Sequence, residues 1–71
     1  AVNVLIVIEK TRTGFSAWSP DLLGCVATGA TRKQVASKMR KAIAFHVAGM
    51  REEKLEIPVP RSYATMVELP A

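Results

Sequence analysis

The chain has 71 residues, room for one domain, with 49% hydrophobic residues and a formal net charge of +4. A body this small buries only about 60% of the surface its unfolded form exposes, so such scaffolds usually add a disulfide, a metal or a partner subunit. One cysteine and one histidine exclude an intrachain disulfide and a four-ligand structural zinc site, which leaves self-association, as a homodimer or tetramer, as the expected reinforcement.

Residues 2–10 read as a strand, with Val2, Val4, Ile6 and Ile8 on one face and Asn3, Leu5, Val7 and Glu9 on the other. Because Leu5 and Val7 make the second face apolar as well, this strand is expected to be central and covered on both sides. The apolar run Val4-Leu5-Ile6-Val7-Ile8 stops at Glu9 and Lys10. It is too short for a signal peptide or for a membrane span of about 20 residues. A solitary thiol suits a cytoplasmic location. Thr11-Arg12-Thr13-Gly14 is a hairpin signal, and residues 15–19 alternate as a second strand. Pro20-Asp21 opens a loop, since proline cannot donate to a ladder and biases its predecessor toward extended geometry. Residues 24–28 form a third short strand closed by Gly29.

The helix is the clearest element. Thr31 is a good N-cap and Gln34 stands at the capping-box spacing. From Arg32 to about Glu53, Val35, Ala36, Met39, Ala42, Ile43, Val47 and Met50 share one arc at about 100° per residue, with His46 inside it. Lys33, Lys38, Arg40, Lys41 and Arg51 occupy the opposite arc. Gly49 lies within the pattern, at a cost of about 1 kcal/mol relative to alanine. Pro58 and Pro60 exclude helix from the connector that follows, and residues 63–69 read as a final strand. The expected fold is α+β: a three-stranded antiparallel meander, one long helix on one sheet face, and a fourth strand returning parallel to the first. The helix covers one face only, and an apolar face left open in a small chain is a dimerisation surface.

Catalysis is not expected. Two-metal chemistry needs convergent carboxylates holding ions about 4 Å apart. The six acids are scattered, with none on the middle of the helix to face Glu9. No catalytic residue, metal ligand or cofactor is assigned. His46 on the apolar arc is read as a packed, hydrogen-bonded residue, and Cys25 as a small buried hydrophobe. Asp21 is either a turn residue capping its own backbone or a partner contact. Alternation sends Trp18 to the face opposite Phe15 and Ala17, away from the helix, where a tryptophan is a good interface anchor. Lys33, Arg40 and Arg51 line a stripe that is either plain solvated surface or a contact for nucleic-acid phosphates. No aromatic platform for base stacking accompanies it.

The series Ser16-Ala17-Trp18-Ser19-Pro20-Asp21-Leu22-Leu23-Gly24-Cys25, then Thr28-Gly29-Ala30-Thr31 opening a helix, resembles the HicB-like antitoxin family. That family's pattern is an aromatic strand, a Pro-Asp-Leu-Pro-Gly-Cys loop, a Gly-x-Thr turn and a long helix. The resemblance runs on through Ala42-Ile43 and the Ile57-Pro58 connector and covers nearly the whole chain. It implies a partial RNase-H-like sheet in a bacterial or archaeal protein that binds a small HicA-type mRNA-cleaving toxin and blocks its active site. Partner contact is then expected at Trp18, Asp21, Leu22, Leu23 and Gly24. Leu23 stands where the family commonly has proline, and Arg32-Lys33-Gln34 is basic where relatives are often acidic. Many members also carry a C-terminal DNA-binding segment; residues 1–71 are expected to form a single domain without one. The alternative function is a nucleic-acid-binding module using the basic helix face.

Overall fold

The computed structural model describes residues 3–70. Strands β1 (Val7–Lys10), β2 (Phe15–Trp18) and β3 (Val26–Gly29) precede a single helix, α1 (Arg32–Glu52). The strands form an antiparallel sheet in the order β1-β2-β3. Its register aligns Ile8, Ala17 and Ala27 in one cross-strand row and Val7, Trp18 and Val26 in the next. Adjacent rows point to opposite faces, so the first row meets the helix and the second faces outward.

Local chemistry fixes each junction. In the first hairpin the Thr11 N–H donates to the Gly14 carbonyl at 2.9 Å, and the Gly14 N–H donates to Thr11 Oγ1 at 3.1 Å. A Cβ at Gly14 would run into the Gly29 carbonyl oxygen, so only glycine lets the start of β2 lie this close to the end of β3. At the helix start, Thr31 Oγ1 accepts from the Gln34 N–H at 3.1 Å. Gln34 Oε1 reaches back one residue beyond the cap and accepts from the Ala30 N–H at 3.0 Å. This satisfies the orphan donors of the first turn much as a capping box does. The helix ends in a Schellman arrangement: the Lys54 N–H donates to the Arg51 carbonyl and the Leu55 N–H to the Met50 carbonyl. Lys54 takes the left-handed conformation, φ 57°, a position glycine usually fills.

The core is small. Ala17, Leu22, Cys25, Val35 and Met39 are buried, and Ile6, Ile8, Phe15, Ile43 and Val47 pack partly buried around them. The helix lies over β3 and β2 and touches β1 least.

The sheet departs from expectation at β1 and after the helix. β1 is an edge strand, not a central one, and residues 3–6 join no ladder. Their would-be partner, β2, ends at Trp18 because Ser19 and Pro20 turn the chain away. Val2 lies outside the described residues. No strand follows α1 among the described residues, so the fourth parallel strand is replaced by an irregular segment at 55–70. The physical reason is a lack of donors at its start: Pro58 and Pro60 have no N–H, and the N–H groups of Arg61 and Ser62 go to the Asp21 carboxylate. β3 begins at Val26, later than the expected Gly24, because the Cys25 N–H is taken by the Leu22 carbonyl at 3.3 Å.

Candidate protein-binding surface

The loop between β2 and β3 is held from within. Ser19 is buried, and its Oγ accepts from the Leu22 N–H at 3.3 Å. Leu22, only 3% exposed, and Cys25 turn into the core beside it. Burial pushes the Cys25 thiol above its ordinary pKa. That leaves Leu23 at the tip, 81% exposed, followed by Gly24 at φ 92°, a conformation that favours glycine. The expected contact set therefore divides. Leu23 and Gly24 face solvent, whereas Leu22 is a core residue, with no surface to offer a partner.

Asp21 does something local sequence reasoning missed. Its Oδ1 accepts from the Arg61 N–H at 3.1 Å and from the Ser62 hydroxyl at 3.2 Å, and its Oδ2 accepts from the Ser62 N–H at 3.3 Å. One carboxylate thus ties the segment after the helix to the β2–β3 loop, forty residues away in sequence. It neither caps its own turn nor stands free for a partner. Nothing near Asp21 in sequence signals this; the only hint is a Pro-Arg-Ser stretch with N–H groups that need acceptors.

Trp18 sits on the outer sheet face, 40% exposed. Its indole Nε1–H donates to Glu9 Oε1 at 2.7 Å, a short, charge-assisted bond that restrains the ring. Val7 and exposed Val26 lie on either side of it in the same row. The next outward row, Glu9, Ser16 and Thr28, is polar. The outer face is thus an apolar strip beside a polar one, anchored by a braced tryptophan. Glu9 is occupied by this brace, and among the described residues no group of three or more His, Cys, Asp or Glu could hold a metal ion. His46 is half-buried on the helix.

The helix presents its cations in two ways. Lys38 folds onto the sheet edge, its Nζ donating to the Thr28 carbonyl at 3.0 Å. Lys33, Arg40 and Arg51 are exposed and lie along one stripe. Arg40 and Arg51 also flank an open groove of about 900 Å³ between α1, the stretch leading into β1 and the connector, with Val4, Ile6, Ile43 and Val47 among its apolar lining. Among the described residues no helix is long and apolar enough to cross a membrane.

A family model described as the HicB-like antitoxin of bacterial toxin–antitoxin systems matches residues 4–71. An uncharacterized 14.9 kDa protein of the rep-hol intergenic region of Haemophilus phage HP1 (strain HP1c1) is 38% identical over 53 residues, covering 75% of this chain and 40% of the phage protein. The chain therefore spans less than half of that relative. A chain of the solved HicA3 and HicB3 toxin–antitoxin complex matches with a TM-score of 0.64 at 29% identity, covering 82% of this chain and 72% of that one. The chain belongs to the HicB-like antitoxin family of bacterial toxin–antitoxin systems.

Proposed function

We propose that this chain is a non-enzymatic cytoplasmic antitoxin that masks a small HicA-type, mRNA-cleaving toxin by protein–protein contact. The observation that carries this reading is the combined match, in sequence family and in fold, to a protein solved within a HicA–HicB complex. Trp18, Val26, Leu23 and Gly24 are the contact residues in this reading. They lie together on the outer sheet face and the adjoining loop tip, and a braced aromatic loses little freedom on binding. Asp21 contributes indirectly, by holding the neighbouring segment in place. The chain self-associates as a homodimer or tetramer, which supplements its small core. Residues 1–71 act as one domain in this reading.

The test is genetic and biochemical together. A small basic protein encoded beside this chain should arrest growth when expressed alone, be relieved by co-expression, and co-purify with it. Trp18→Ala and Leu23→Glu should each weaken co-purification while leaving the helix signal in circular dichroism intact. If no neighbouring product binds or impairs growth, the toxin reading is dropped.

The exposed stripe supports a second reading, contact with nucleic acid. Lys33 to Arg51 spans about 27 Å of helix at 1.5 Å per residue. Three phosphate contacts would give a log–log salt slope of about −3. Lys33→Glu or Arg40→Glu should then weaken binding across all sequences. Salt-independent or undetectable binding removes this reading.

A further inference from the structure

The groove beside the connector joins an apolar trough to a positive charge that nothing in its lining offsets. Val4, Ile6, Ile43 and Val47 pack against the buried cluster and also line the groove of about 900 Å³, so its floor is the flank of the core. The facing wall is the connector, Ile57 to Pro60. This wall is staked at both ends. Before it, the Leu55 N–H donates to the Met50 carbonyl at 2.8 Å; after it, Asp21 holds Arg61 and Ser62. A trough held this way is formed before a ligand enters, and its size lies within the range of small-molecule sites, about 300–1,000 Å³.

Among the described residues, Arg40, Arg51 and Asp21 are the ionisable groups of the lining, and both Asp21 oxygens already accept hydrogen bonds from Arg61 and Ser62. Arg40 and Arg51 are exposed, and they stand on one side of α1 about 16 Å apart along its axis. The two are not equivalent. Arg51 is in the last turn, where the carbonyl end of the helix and the adjoining Glu52 and Glu53 oppose an incoming anion. Arg40 is mid-helix, with Ala36, Ser37, Ile43 and Ala44 at the neighbouring turn positions and no acid among them.

These features select a ligand with one anionic head and a hydrocarbon body. An inorganic anion gains nothing from the trough. A peptide would bring backbone N–H and C=O groups that need partners, against a wall whose Pro58 and Pro60 have no N–H. An alkyl chain needs none. We infer that the groove binds a long-chain carboxylate: the Arg40 guanidinium takes the head group, and the alkyl chain lies along Ile43, Val47 and Ile57 toward Arg51. A zigzag chain of about twelve carbons, advancing about 1.25 Å per bond, spans that distance. The site is on the helix side of the sheet, whereas Trp18 and Val26 share the outward row, so its failure leaves the antitoxin reading standing.

Methyl NMR of the full chain, titrated with dodecanoate below its micelle-forming concentration, tests this. The Ile43, Val47 and Ile57 methyls should shift to saturation while Val26 stays still. Going from octanoate to decanoate to dodecanoate should tighten binding about three- to fifteenfold at each step. Arg40→Gln should weaken dodecanoate binding more than about tenfold, Arg51→Gln less, and Lys33→Gln, outside the groove, not at all. Ala44→Glu, at an exposed lining position, should abolish binding with the helix signal in circular dichroism intact. Unmoved methyls would overturn the inference, as would equal binding of dodecyltrimethylammonium, indifference to chain length, or equal losses in Lys33→Gln and Arg40→Gln. Shifts spread alike over Val26, Val67 and Leu69 would also overturn it, as detergent-like adsorption only. If an apolar peptide bearing glutamates shifts the groove methyls and dodecanoate does not, the groove belongs to a protein partner and the assignment is wrong.

Discussion

The loop at residues 19–25 and the segment at residues 60–69 both have a proline at or next to their start and both carry apolar side chains, yet only the loop closes on itself. In the loop, Ser19, Leu22 and Cys25 recur at every third residue and all turn inward, the Leu22 N–H donating to Ser19 Oγ and the Cys25 N–H to the Leu22 carbonyl. In the later segment the apolar residues alternate as in a strand, but the ladder a strand needs is not made. A turn can complete its hydrogen bonds from neighbours in sequence; a strand cannot. The difference shows why one stretch is part of the core and the other keeps its apolar side chains exposed.

The largest predicted effects probe the loop side of that contrast. Met39→Ala and Leu22→Ala should each cost about 2–5 kcal/mol, a large share of the about 4–10 kcal/mol expected for a chain of this length. Leu23→Ala, one residue along, should stay within about 0.5 kcal/mol. Urea denaturation measures all three, and equal losses at Leu22 and Leu23 would break the inward–outward division. Next comes the tether: Asp21→Ala removes the acceptor for two backbone N–H groups and a hydroxyl, at a cost of about 1–2 kcal/mol. Hydrogen exchange should quicken at Arg61 and Ser62 while the β2–β3 amides stay protected.

Two gains should follow in the helix. Gly49→Ala meets open space and should stabilise by about 1 kcal/mol. Lys54→Gly relieves the left-handed position and should add about 0.5–1 kcal/mol. The smallest effect is a pH dependence. The folded state raises the Cys25 pKa, so it holds that proton where the unfolded chain has released it. Stability from this source is therefore constant at neutral pH and falls as pH rises past the ordinary thiol value toward the raised one. Cys25→Ala should flatten that alkaline slope, and thiol reagents should label the native protein slowly until denaturant is added.

What was legible in the sequence was whatever local periodicity and capping decide. Thr31 and Gln34 marked the helix start, the helical spacing of Val35 and Met39 marked its buried face, and the Trp18-to-Cys25 series marked both the loop and the family. Trp18 was rightly sent to the outer face, because strand alternation needs only the neighbouring residues. Position in the sheet was not legible. The two-sided apolar pattern of residues 4–8 suggested a central strand, but neighbours in a sheet are long-range partners, and here β1 has one. Nor was the work of Asp21, whose partners lie forty residues away, or the cap at Lys54, where lysine replaces the usual glycine. The β-like alternation at residues 63–69 was read correctly as a pattern. No ladder forms there among the described residues, because a pattern states what a segment can pair with and not whether the pairing is made.

The most direct test of the antitoxin reading is a titration. A purified neighbouring toxin would be incubated with RNA and increasing amounts of this chain, and the cleavage rate followed. The account predicts cleavage falling to background near equimolar amounts, with Leu23→Glu shifting the curve to higher concentration. Undiminished cleavage in the presence of a saturating excess of the folded chain would contradict it.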